Sequence, residues 1–169
     1  VDRTDFLPTC PLNTDELFDR LKTLLTSVKR RPLYALVLGF LGDRELMNRF
    51  KLAPAAKSMH HAYLGGLLEH TLSVASLTNT ICSHYPELDR DLLLAGAFLH
   101  DIGKVEEYTY DLSIDYSAEG RLLGHMILGV DILEQKIRAL KNFPEQDAVL
   151  LKHLILSHHG EAQFGAVKT

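Results

Sequence analysis

Apolar residues recur every three or four positions along most of this 169-residue chain, the spacing of helices that bury one face. Asn13 followed by Glu16 reads as a capping box, and Leu17, Leu21, Leu24, Leu25 and Val28 continue one stripe up to the basic stop Lys29-Arg30-Arg31. That cluster reads as a solvated helix C-terminus favoured by the dipole. Pro32 suits the first turn of a short second helix through Leu41, while Gly42-Asp43 ends it and caps a third over 44–51. Residues 52–59 form a connector, with Ser58 as the cap of a long helix from His60 to His84. Gly65-Gly66 inside that helix costs about 1 kcal/mol per residue relative to alanine, so the pair needs a reason such as close approach of another backbone or room for a ligand. Pro86 breaks the chain, and Asp89 caps a central helix whose run Leu92–Leu99 is apolar on every face. Residues 108–110 and 114–116 favour extended structure, as a small hairpin or an irregular loop. Ser117 starts another helix reaching Leu140, Asn142-Phe143-Pro144 ends it, and a last helix over 145–159 has Gly160 at its C-terminal cap. Every convincing element is helical, so the fold class is all-α. Residues 1–12, with Pro8 and Pro11 and no period, read as an arm without a functional role.

Composition fits one globular domain with a real core, 46% hydrophobic and 24% charged. The net charge of -4 argues against nucleic-acid binding through a broad basic surface and leaves only a local groove for that purpose. Two cysteines, Cys10 and Cys82, do not make a disulfide framework. With no 18-residue apolar run and no signal pattern, the expectation is a cytoplasmic protein without a membrane partner. A start at Val1 and an end at Thr169 without a capping element suggest part of a longer chain.

Nine histidines change the picture. The stretch Leu99-His100-Asp101-Ile102-Gly103-Lys104 sets an imidazole and a carboxylate side by side where the apolar helix ends. An unpaired carboxylate is costly to bury there, and an imidazole with a carboxylate suits zinc, manganese, iron or nickel. His158-His159 presents two more imidazoles at a second helix end, and His70 and His125 lie in other helices. Lys104, about one turn after Asp101, can neutralise a phosphate beside a metal; its competing role is an ion pair with Glu106 or Glu107. His60 and His61 stand at the very start of the long helix, on the surface or on a substrate side, whereas His84 serves a helix C-terminus. His153 lies about 140° around its helix from His158 and does not share its face.

The order His70, His100-Asp101 with Lys104, His125, and His158-His159 resembles the HD-domain metal-dependent phosphohydrolases, over residues 53–165. More narrowly, Ala53-Pro54-Ala55-Ala56, His60-His61-Ala62-Tyr63, the run Gly65 to Thr71, Glu119-Gly120 with Leu123-Gly124-His125, and Ser157 to Gly160 look like the HD domain of YhaM-type 3′-5′ exoribonucleases. The resemblance implies a helical bundle with a metal site between helices, in which residues 1–52 are a helical preface and 53–169 the HD domain without its C-terminal part. It implies that His70, His100 and Asp101 hold one divalent ion, with Asp101 bridging to a second held by His125, His158 and His159. Manganese, iron, cobalt, nickel, zinc and magnesium all remain open. The superfamily closes its site with a later aspartate, but only Glu161 is acidic beyond His159. The implied activity is phosphodiester hydrolysis by a 3′-5′ exonuclease module on RNA or single-stranded DNA; Asp101, Lys104 at the transferred phosphate, and His61 at the leaving oxygen or a neighbouring phosphate are the candidate catalytic residues for such a step. Hydrolysis of a nucleotide or cyclic dinucleotide, and a non-catalytic signalling domain stabilised by metal, stay open as alternatives, as does oligomerisation.

Overall fold

The computed structural model describes residues 7–58, 61–161, 163 and 167; His60 lies outside the described residues. Eight helices are formed among them: α1 (Thr14–Thr26), α2 (Arg31–Leu41), α3 (Arg44–Leu52), α4 (Gly66–His84), α5 (Arg90–Leu99), α6 (Lys104–Glu107), α7 (Ala118–Arg138) and α8 (Glu145–Ser157). Strands β1 (Tyr108–Tyr110) and β2 (Ile114–Tyr116) pair antiparallel as a hairpin, with Thr109 opposite Asp115, which settles the open choice over this segment. The all-α class holds. No helix of the described residues is long and apolar enough to cross a membrane.

Local chemistry accounts for most helix starts. Asn13, Asp43, Asp89 and Ser117 each accept a hydrogen bond from a backbone N–H in the first turn of α1, α3, α5 and α7. The expected start of the long helix is wrong. Ser58 is not its cap; α4 begins at Gly66, after Gly65 adopts a left-handed conformation with φ 85°. A Cβ on Gly66 would lie 2.1 Å from the His61 carbonyl oxygen, so the pair exists because the connector's backbone crosses there. The basic cluster is also not a helix end. Helix α1 stops at Thr26, Arg30 caps α2, and the N–H groups of Lys29 and Arg30 donate to Asp91 at 2.7 and 2.8 Å. The Arg30 guanidinium reaches Asp147 and Asp89, tying α2, α5 and α8 together.

Helix α5 is the buried axis of the molecule, packed against α4, α8, α1 and α2. Its Phe98 makes edge-to-face contacts with Phe40 of α2 and Phe50 of α3, ring centroids 5.5 and 5.7 Å apart. Leu21, Leu25, Leu67, Leu94, Leu99, Ile102 and Ile155 belong to the same cluster, so a polar group at the C-terminal end of α5 is delivered from the middle of the core. The described part of the N-terminal arm, from residue 7 on, is likewise built in. Cys10 N donates to the Leu64 carbonyl at 2.8 Å and Leu64 N to the Pro8 carbonyl at 2.9 Å, a short parallel bridge that ties the arm to the connector before α4.

Candidate metal centre

Five helices or helix ends converge on the Asp101 carboxylate, which is 2% exposed. His70 comes from the first turns of α4, His100 and Asp101 follow α5, Lys104 opens α6, His125 lies in α7, and His158 and His159 follow α8. Helix α7 is broken at Gly124, φ 70° and ψ 160°, so His125 begins the second of two helical segments rather than continuing one straight rod. The rigid joint between α6 and α7 is a backbone contact: a Cβ on Gly103 would sit 1.9 Å from the His125 carbonyl oxygen.

The two carboxylate oxygens face different histidines. Oδ2 lies 3.4 Å from His70 Nε2 and 3.3 Å from His100 Nε2; Oδ1 lies 3.5 Å from both His125 Nε2 and His158 Nε2. Backbone carbonyls fix two of these rings, since His100 Nδ1 donates to Ala97 O at 2.8 Å and His158 Nδ1 to Ile155 O at 2.7 Å. With the proton on Nδ1, a neutral imidazole presents the lone pair of Nε2 to the centre. His125 is held the same way by a carboxylate, because Glu107 Oε1 accepts from its Nδ1 at 3.1 Å and from its backbone N at 3.0 Å. Sequence reasoning gave Glu107 only as an ion-pair partner for Lys104. The pairing is different: Lys104 Nζ lies 2.7 Å from Asp101 Oδ2, Arg49 takes Glu106, and Glu107 serves His125.

Burial alone would raise the Asp101 carboxyl, but the surrounding imidazoles of His100 and His158 and the Lys104 ammonium outweigh it and hold the group well below the usual carboxylate range. Burial pushes His70 down to about 4 against the pull of Asp101, so its ring is neutral and able to ligate at neutral pH. Burial opposes ionisation of Glu107 as well, and hydrogen bonds from His125 overcome it.

The donor set fits divalent metal. The ligand atoms of His70, His100 and Asp101 lie within 4.8 Å of one another, as do those of His125, His158 and His159. Asp101 Oδ1 and His125 Nε2 are both buried without a hydrogen-bond partner although they face each other. Two acceptors turned toward each other in a buried site repel unless a cation lies between them. Imidazole and carboxylate are also the ligands that transition metals prefer. His61 stands beside this centre rather than in it, its ring centroid 5.8 Å from that of His70. A cavity of about 450 Å3 opens from His70, His100 and His158 along Val74 and Thr78 of α4, Gly96 of α5 and Leu154 of α8.

A helical domain in which a histidine–aspartate doublet gathers imidazoles from neighbouring helices is the architecture of HD domains. The HD domain family matches residues 67–165, and the chain belongs to it. A helicase family matches residues 9–87, less than half of the chain. Among curated proteins, 3′-5′ exoribonuclease YhaM of Bacillus subtilis (strain 168) is 37% identical over 168 residues, covering 99% of this chain and 52% of the relative. The proteins of the same name from Listeria innocua and Oceanobacillus iheyensis are both 34% identical, covering 99% and 98% of this chain and 53% and 51% of theirs. The chain thus spans about half the length of the curated relatives it matches. No solved structure matches it.

Proposed function

We propose that this chain is the catalytic domain of a metal-dependent 3′-5′ exonuclease that hydrolyses phosphodiesters in single-stranded RNA. The observation that carries the reading is the division of one buried carboxylate between two histidine groups, with His70 and His100 at Oδ2 and His125 and His158 at Oδ1. His70, His100 and Asp101 would hold one divalent ion and His125, His158 and His159 a second, with the Asp101 carboxylate within reach of both groups. Divalent ions held there supply a water of lowered pKa and positive charge for the phosphoryl oxygens. Of the chain's own groups, Asp101 orients the centre and Lys104 brings an ammonium to its edge, within reach of a phosphate oxygen. His61, on the substrate side, binds a neighbouring phosphate or protonates the leaving oxygen. The cavity beside His100 and His158 is large enough for a terminal nucleoside, whose base would lie against its apolar wall of Val74, Leu93 and Leu154. The helices of residues 1–52 form a preface seated on an HD domain of residues 53–169.

The curated relatives named as 3′-5′ exoribonucleases support RNA as substrate and the 3′ end as the point of attack. The test is a single-stranded RNA labelled at its 5′ end, incubated with the chain and manganese. Stepwise shortening is expected, with none after chelation or in His100→Ala. Turnover confined to mononucleotides or cyclic dinucleotides would replace this reading with that of a nucleotide hydrolase. No turnover of either class, with metal bound, would leave a metal-stabilised structural domain.

A further inference from the structure

His61 has φ 59°, a left-handed backbone conformation that a residue with a side chain adopts only at a cost of about 1 kcal/mol. The strain is held in place from two sides. Its carbonyl accepts from Ala55 N at 3.1 Å and fills the space left open by Gly66. Its ring is held by a hydrogen-bonded series: His61 Nδ1 lies 2.8 Å from the Tyr63 hydroxyl, and that hydroxyl donates to Glu69 Oε2 at 2.6 Å. Cys10 Sγ donates to the same Glu69 oxygen at 3.2 Å, from the arm that is bridged to Leu64.

The direction of this series fixes the histidine. Tyr63 has one proton, and with that proton given to Glu69 its oxygen can only accept from His61 Nδ1–H. Burial and the neighbouring carboxylate both raise the Tyr63 pKa, so the hydroxyl keeps its proton. Nε2, on the opposite edge of the ring from Tyr63, is then the nitrogen left for a ligand. We infer that Tyr63 and Glu69 are positioning residues that hold the Nδ1–H of His61 toward the Tyr63 hydroxyl, which makes Nε2 the nitrogen that takes up a proton and then donates it to the substrate phosphate oxygen beside the metal centre. The inference rests on the proposed hydrolase reading for its consequence in catalysis, and on geometry alone for the state of the ring.

Two measurements decide it. Long-range proton–nitrogen correlation spectra of the metal-free chain, taken where the ring is neutral, are expected to show His61 protonated at Nδ1, changing to Nε2 in Tyr63→Phe. An Nε2–H ring in the unsubstituted chain would overturn the inference whatever the enzyme does. With RNA and manganese, Tyr63→Phe is expected to lower kcat about tenfold at little changed KM, metal content and melting temperature. Added to His61→Ala, it should cost nothing further. Multiplying losses in the double variant would show that Tyr63 acts elsewhere and would overturn the proposed coupling. If the unsubstituted chain leaves RNA intact, the functional reading fails, and the spectra still judge the positioning of His61.

Discussion

Glu107→Gln tests how far the centre depends on a carboxylate that touches no candidate substrate. In the folded chain one Glu107 oxygen accepts from both nitrogens that His125 turns toward it, the ring Nδ1 at 3.1 Å and the backbone N at 3.0 Å. Bonds to a charged acceptor contribute about 1.5–3 kcal/mol and neutral ones about 0.5–1.5 kcal/mol, so removing the charge while keeping the shape costs about 2 kcal/mol. The other oxygen is buried without a hydrogen-bond partner, and an amide NH2 in its place adds about 1–3 kcal/mol of unsatisfied donor. The metal-free variant should therefore lose about 3–5 kcal/mol in urea unfolding. A carboxylate behind a ligating histidine also raises its basicity and fixes its tautomer, so affinity for manganese or zinc should fall about 10–100-fold in calorimetric titration at neutral pH. Glu107→Ala, which removes the acceptor altogether, should bind metal no better than the glutamine variant. Unchanged metal affinity in both variants would refute the claim that Glu107 prepares His125 as a ligand.

Other expectations follow from neighbouring contacts. Gly103→Ala drives a methyl to 1.9 Å from the His125 carbonyl and should cost about 3 kcal/mol or more, seen as a large drop in melting temperature. Gly39→Ala, with nothing within 4 Å of the new Cβ on α2, should instead gain about 0.5–1 kcal/mol. Lys104→Met removes the ammonium 2.7 Å from Asp101 and should destabilise the metal-free chain by about 3 kcal/mol, a loss that added manganese should reduce because a cation again faces the carboxylate. His70 is held down to about 4 in the fold against 6.5 unfolded, so below the unfolded value the unfolded chain binds the extra proton. Stability under chelation should accordingly fall between pH 6.5 and 4, by about 2 kcal/mol once the ring's one-third exposure is allowed for, and His70→Gln should flatten that slope. The depressed Asp101 carboxyl extends the acid loss below the ordinary carboxylate range.

The elements legible in the sequence were those with local chemistry: capped amphipathic helices, and a carboxylate placed where an apolar helix ends. Asn13, Asp43, Asp89 and Ser117 announce their helices because the cap bonds span only two or three residues. The beginning of α4 was hidden because what stops it at Gly66 is the His61 backbone, a tertiary contact, while helical propensity runs on through the connector. The short helix α6 and the break at Gly124 carry no periodic signal, yet together they aim Lys104 and His125 at Asp101. Glu107 and His125 are 18 residues apart in sequence, and Cys10 and Glu69 are 59 apart; pairs so distant leave no pattern that spacing could reveal. A hydroxyl next to the doublet of histidines, Tyr63, was visible, but its link to Glu69 depends on the turn that Gly65 makes.

The most direct test of the account is the metal content of the purified chain and of Asp101→Asn, measured by elemental analysis and by titration of the chelated proteins with manganese. Asparagine preserves the shape of the side chain and removes the charge on which both histidine groups converge. The account predicts a pair of divalent ions per unsubstituted chain and loss of both sites in the variant, with the helical spectrum retained. An Asp101→Asn chain that binds the same ions with the same affinity would contradict it.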